Sequence, residues 1–211
     1  MIERYDSNFF VGRTAIVEKI NDWVNDPKPR YRVLSIVGPL GTGKSWLIAK
    51  ACEVLEKQKG RLVFKTNLSR EASPNLNTEA GLRQWLKDIL RRSHEQCSAI
   101  TEHLDTSISI ESVIDRLVEE LCHQCQSLPS PILIVDGFEE AENDKIRDML
   151  EERVFGRFLS RECTRLIIVR SNNYALSNNF LRWTETREWL DVLEENEGKS
   201  QLEKRSSTLP T

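Results

Sequence analysis

Apolar positions recur along this chain with two periods, and they predict strands alternating with helices. Ile16, Ile20, Trp23 and Val24 fall at helical spacing and predict an amphipathic helix over Thr14 to Val24. Asn25-Asp26-Pro27-Lys28-Pro29 ends it, because each proline disfavours helix in the residue before it. The mostly apolar run Arg32 to Val37 predicts a strand, and Lys44 to Lys57 a helix stopped by Gly60. Arg61 to Leu68 predicts a second strand. Two longer helices are expected over Glu79 to Arg92 and Ser109 to Gln126, the second with Ser109 as its N-cap. Strand Ile132 to Val135, helix Glu142 to Leu159 and strand Arg165 to Val169 follow. Leu181 to Leu193 supplies a last strand or a helix, with the strand preferred. Such alternation implies a parallel sheet covered on both faces, hence one α/β domain over residues 1–193. The remainder, 194–211, is a polar tail or the start of a lid.

Composition narrows the class. The chain has 211 residues, 30 Lys+Arg against 33 Asp+Glu, and a formal charge of -3. That length allows one large core needing no disulfide or metal staple. The balanced charge argues against a dedicated nucleic-acid binder, which carries a strongly basic face. No run approaches the ~20 apolar residues that cross a bilayer. Met1 to Asp6 lacks the basic and apolar regions of a secretory signal. Five scattered cysteines fit reduced thiols in an intracellular, cytoplasmic protein better than a disulfide framework.

Candidate chemistry begins directly after the first strand. Gly38-Pro39-Leu40-Gly41-Thr42-Gly43-Lys44-Ser45 is a complete G-x-x-x-x-G-K-[ST] pattern between a predicted strand and a predicted helix. Glycines let the backbone approach a phosphate, and N–H groups from Gly41 to Ser45 form an anion nest at a helix N-terminus. Lys44 neutralises the β- and γ-phosphates, and the Ser45 hydroxyl is a ligand for Mg²⁺. Trp46 adjoins this set and packs against the sheet or near the base.

A phosphate loop needs an acidic residue ending a neighbouring buried strand. Pro131-Ile132-Leu133-Ile134-Val135-Asp136 provides it, followed by Gly137-Phe138-Glu139-Glu140. Asp136 is the expected Mg²⁺ support. Glu139 or Glu140 is the expected group that polarises an attacking water.

The run Ile132 to Glu140 resembles the Walker B element of NACHT-type nucleotide-binding domains. Phe10-Val11-Gly12-Arg13, placed before the phosphate loop, resembles the F-x-G-R motif of STAND and related AAA+ ATPases. The resemblance covers about Phe9 to Ser171. It implies a three-layer P-loop NTPase sandwich on a mostly parallel five-stranded sheet. It also implies that Val11, Gly12 and Arg13 line the adenine side, with Glu139 at the hydrolytic position. Two departures stand out. The family has Asp where this chain has Glu139. In addition, Arg170 falls one place earlier than the arginine that senses the γ-phosphate, and one residue along a strand reverses its face. Arg170 is thus a sensor or a sheet-edge cation. Arg157, Arg161 and Arg165 lie where an arginine acting on a neighbouring subunit would fall.

Other signals are set aside. Cys122-His123-Gln124-Cys125 lacks a second ligand pair, and its cysteines lie on an apolar helical stripe. The expected function is a switch that binds ATP (or ADP) with Mg²⁺ and hydrolyses it slowly. ATP is preferred over GTP because no guanine-type N/T-K-x-D motif is present. The expected partners are nucleotide and other protein chains, self-association included, with no membrane. A non-hydrolysing interaction module and a small-molecule kinase are the alternatives. The ~18 polar residues of the tail are too few for the helical lid and winged helix of full STAND proteins.

Overall fold

Five short strands lie side by side and point the same way in the computed structural model of this chain. The structure describes residues 10, 12–58, 61, 63–68, 78, 80–81, 84–85, 109, 112, 115, 119, 131–140, 144–160, 162–171, 174–191 and 199. In chain order the elements are α1 (Thr14–Asn25), β1 (Val33–Val37), α2 (Lys44–Glu56), β2 (Val63–Asn67) and β3 (Ile132–Asp136). A short 3-10 turn, Phe138–Glu140, leads to α3 (Asp144–Met149), a π-helical stretch (Leu150–Phe155) and α4 (Gly156–Phe158). The remaining elements are β4 (Arg165–Arg170), α5 (Asn179–Trp183) and β5 (Glu185–Trp189).

The sheet order is β2-β3-β4-β1-β5, and every pairing is parallel. The expected mostly parallel sheet is therefore wholly parallel among the described strands. β1, β3 and β4 are buried at every position, which is why their sequences read as continuous apolar runs rather than alternating ones. One face packs Leu34, Ile36, Ile132, Ile134, Ile167 and Val169 against α1 and α2. From the helices come Val17, Ile20 and Val24 on one side and Leu47, Ile48, Ala51 and Leu55 on the other. Alternation along each strand turns Val33, Ser35, Val37, Ile168 and Arg170 to the opposite face.

Two expectations change. The acid-bearing strand was expected beside the phosphate-loop strand, but β4 lies between β3 and β1. The stretch from Leu181 onward is neither one strand nor one helix: a short helix runs straight into β5. Asn178 starts that helix, its Oδ1 accepting the Leu181 N–H at 3.2 Å. Ser109 behaves as expected at a helix start, with its Oγ accepting the Ser112 N–H at 3.2 Å. Ala80, Gly81, Gln84 and Trp85 are helical, as are Ser112, Asp115 and Glu119. The rest of those two expected helices, and the Cys122 to Cys125 segment, lie outside the described residues.

Candidate nucleotide site

The phosphate loop joins the C-terminal end of β1 to the N-terminus of α2, so it sits where the strands of a parallel sheet point. Gly38 begins it in a tight passage: a Cβ there would lie 2.4 Å from the Leu190 carbonyl oxygen. No larger residue fits without moving the chain that leaves β5. Gly41 and Gly43 hold φ of 82° and 78°, the left-handed region that side chains resist. Between them the Thr42 Oγ1 donates to the Pro39 carbonyl at 2.9 Å and closes the turn. The first intrahelical bond of α2 runs from Leu47 N–H to the Gly43 carbonyl at 3.0 Å. The N–H groups of the first turn thus face the loop at the positive end of the helix dipole. Pro39, Leu40 and Ser45 are exposed around it, and Trp46 is half-buried.

Lys44 turns its side chain back into the loop. Its ammonium donates to the Gly38 and Pro39 carbonyls at 2.8 and 2.9 Å. Burial lowers its pKa, while the charges of Glu139 and Asp136 pull the other way. The charges of Glu139 and Asp136 thus reach Lys44, although Asp136 ends a strand two places away and Glu139 stands in the turn beyond it. Asp136 is buried at the tip of β3, and its carbonyl accepts the Leu68 N–H at 2.8 Å, tying β2's exit to the site. Glu139 stands in the 3-10 turn, half-buried. Burial raises its pKa, partly offset by its own backbone N–H, by Lys44 and by the Ser171 N–H. Its Oε2 is buried and accepts no hydrogen bond. A carboxylate with a spare acceptor, close to the loop lysine, is suited to hold a water.

The remaining expected site residues are distributed as follows. Arg13 reaches the loop: its Nη1 donates to the Thr42 carbonyl, and its Nη2 to the Asp191 carbonyl at 2.7 Å. Gly12 precedes it, half-buried; Val11 and the Glu140 side chain lie outside the described residues. Arg170 is adjacent to the loop through its backbone, whose carbonyl accepts the Gly38 N–H at 3.4 Å. Its guanidinium instead donates to Glu185 Oε1 at 2.8 Å. β4 is central, so Arg170 is no sheet-edge cation. Arg165 is buried near the other end of β4, donating to the Asp26 carbonyl at 2.7 Å. Arg157 pairs with Asp115, and Arg161 lies outside the described residues.

Several participants carried no sequence signal. Ser171 contributes a backbone N–H, while Leu190 and Asp191 contribute carbonyls, and any residue type can supply these. Glu185 and Ser35 form a buried polar cluster with Arg170, joined by the exposed Arg187, in β5 and β1 strands whose sequences suggest only a charged edge and a core run. Among the described residues no cluster of His, Cys, Asp and Glu stands ready to hold a metal on protein ligands alone. Ser45 and Asp136 do fit a cation held mainly by phosphate oxygens, the usual arrangement for Mg²⁺. The left-handed glycines, the helix N-terminus and the inward ammonium of Lys44 fit a polyphosphate.

A sequence model described as Nephrocystin 3, N-terminal, matches residues 16–171. No curated protein matches the sequence. Among solved structures, a Walker-type ATPase of Pyrococcus abyssi superposes with TM-score 0.66 and 13% identity, covering 100% of this chain and 63% of that one. Cdc6p of Pyrobaculum aerophilum gives 0.64 and 16% identity, over 97% and 54% of the two chains. The Aeropyrum pernix Orc1 protein, solved in complex with DNA, gives 0.62 and 16%, over 94% and 50%. The chain thus spans from half to just under two-thirds of these structures' length, and the likeness establishes the fold.

Proposed function

The chain belongs to the nephrocystin 3 N-terminal family, a P-loop nucleotide-binding domain of AAA+-related type, and we propose that it is an ATP- and Mg²⁺-dependent switch of STAND/NACHT type with slow hydrolysis. The observation that carries this reading is the Gly38–Ser45 loop itself, with its left-handed glycines and the inward ammonium of Lys44 at the first turn of α2, under the electrostatic influence of Glu139 and Asp136. Bound Mg²⁺ would neutralise charge on the β- and γ-phosphates, and Ser45 and Asp136 would hold it. Lys44 exchanges its two loop carbonyls for phosphate oxygens and stabilises the charge that grows during transfer. Glu139 orients the attacking water through its spare oxygen, and the raised pKa makes it a better proton acceptor than an exposed carboxylate. The Gly41 to Ser45 backbone supplies the remaining donors. Changes at this site would alter the contacts this chain makes with other protein chains.

One observation favours a second reading, a module that binds nucleotide without turning it over. The Arg170 guanidinium is held by Glu185 rather than offered to the loop. Phosphate release from ATP by the wild type, Lys44→Ala and Glu139→Gln separates the two. Wild-type release that both substitutions abolish supports the switch. Tight ATP binding with no release in the wild type would leave the static module.

A further inference from the structure

Arg13 is the described non-glycine residue with a left-handed backbone, at φ 57°, and it caps the start of α1. Its carbonyl accepts the Ile16 and Val17 N–H groups at 3.0 and 3.1 Å, so the helix fixes the backbone from which the side chain departs. One guanidinium nitrogen then donates to the Thr42 carbonyl, and the other to the Asp191 carbonyl at 2.7 Å. The same nitrogen that meets Thr42 lies 3.5 Å from where a Cβ of Gly43 would stand. A fork with two donors spans a gap that a single ammonium cannot bridge in the same way.

The peptide plane gives this contact its consequence. In a trans peptide the carbonyl and the next N–H point in opposite directions. Arg13 holds the Thr42 carbonyl, so the Gly43 N–H is directed away from the guanidinium and left available to a phosphate. Gly43 has no side chain to fix this plane, and its left-handed φ is one of several conformations open to glycine. Arg13 adds a restraint on this plane from outside the loop. At its other end Gly38 lies under the Leu190 carbonyl, and the Leu190 N–H donates to Val37 at 2.7 Å. Both ends of the phosphate loop are thus tied to the chain leaving β5, one through β1 and one through Arg13.

We infer that Arg13 is a positioning residue for the phosphates: it sets the Thr42–Gly43 peptide plane and couples the loop to the segment that leaves β5 at Asp191. This rests on the nucleotide site proposed above, and it differs from a contact with the adenine base. Arg13 precedes the span 16–171 that the family model matches, so the family assignment carries no statement about it.

The test compares MgATP with magnesium tripolyphosphate, which lacks base and ribose, by calorimetric binding to the wild type, Arg13→Gln and Arg13→Lys. Losing a charged donor from a site of this kind weakens binding about tenfold or more. The expected result is the same fold-loss for both ligands in Arg13→Gln, with Arg13→Lys retaining part of the affinity. A loss for ATP alone would show a base contact and overturn the inference, as would unchanged affinity for both. Absence of wild-type binding to either ligand would defeat the site itself and this inference with it. Amide exchange of the ligand-free proteins supplies the second measurement and shows whether each variant is folded. In folded Arg13→Gln, exchange should speed up together in the segments 41–45 and 190–191; acceleration in neither, with α1 protected, would also overturn the coupling.

Discussion

The carboxylate of Glu185 meets the guanidinium of Arg170 at 2.8 Å across β1, the strand that carries the phosphate loop. Ser35 on β1 donates to the same Oε1, and Arg187 donates to Oε2 at 2.8 Å. A single acid thus ties β4, β1 and β5 together, with its own side chain and that of Arg170 only 2% and 3% exposed. Removing one partner of such a buried pair leaves an uncompensated charge. Glu185→Gln should cost about 3 kcal/mol of unfolding free energy in chemical denaturation. The double variant Arg170→Met/Glu185→Leu should recover most of it. A cost for Glu185→Gln below about 1 kcal/mol would place the pair among weak surface bridges and contradict this account.

The same carboxylate should leave a signature in acid. Burial alone would push the Glu185 pKa up, but Arg187, Ser35 and Arg170 outweigh it and hold the carboxyl below its ordinary value of 4.5. The unfolded chain therefore takes up the proton first. Glu185 contributes its stability above about pH 4.5, and that stability is lost as pH falls through the folded value. The difference in unfolding free energy between wild type and Glu185→Gln should accordingly shrink on acidification. A difference that grew towards acid would refute the assignment.

Glu151 should act with the opposite sign. It is buried in the π-helical stretch, where burial raises its pKa despite hydrogen bonds from Ser177 and Asn178. The folded state binds the proton more tightly than the unfolded one. Its contribution to stability is therefore largest in acid and falls as pH rises from its ordinary 4.5 through the folded value. Glu151→Gln keeps an acceptor for those donors and should remove this fall from the stability–pH curve. An unchanged curve would show that Glu151 titrates as an exposed acid does.

Two glycines of the phosphate loop should fail for different reasons. Gly38→Ala puts a methyl 2.4 Å from the Leu190 carbonyl and must displace the exit of β5. Gly41→Ala meets nothing within 4 Å but strains a φ of 82°. The second should cost about 1–2 kcal/mol, from backbone strain alone. Gly38→Ala should cost more and should also raise amide exchange at 190–191. Equal effects from the two substitutions would argue against the close passage under Leu190.

Hydrolysis, where it occurs, should depend on the ionised form of Glu139. Because burial raises that carboxyl above its ordinary 4.5, the rate should fall with acid at a higher pH than an exposed glutamate would dictate. Glu139→Gln should abolish turnover while leaving ATP affinity within about threefold, since the residue acts on the water rather than on the phosphates. Full activity in that variant would move the role elsewhere.

The parts of this fold legible in the sequence were those buried on both sides or bound by motif geometry. β1, β3 and β4 announced themselves because a strand covered by two layers is buried at every position and so reads as a mostly continuous apolar run. The G-x-x-x-x-G-K-S run fixed the loop and the start of α2 together. β5 was harder, because Glu185-Thr186-Arg187-Glu188-Trp189 lies at a sheet edge and has no apolar pattern. Its charges are satisfied by residues far away in sequence, such as Lys19, which donates to Glu188 at 2.7 Å. The pairing of Arg170 with Glu185 was hidden for the same reason. No spacing rule links a core serine, a central-strand arginine and an edge glutamate; the sheet order brings them together. Backbone donors and acceptors at Ser171, Leu190 and Asp191 are invisible in principle, since every residue type carries them.

Every step proposed for this site depends on the Gly38–Ser45 loop, with Lys44, binding a nucleoside triphosphate. Thermal unfolding of the wild type and of Lys44→Ala, each with and without MgATP, tests it most directly. A ligand at 100 times its dissociation constant stabilises the folded state by about 2.7 kcal/mol. The wild type should therefore melt several degrees higher with MgATP, and Lys44→Ala should show little or no shift. An unshifted wild type at millimolar MgATP, or equal shifts in both proteins, would contradict the account.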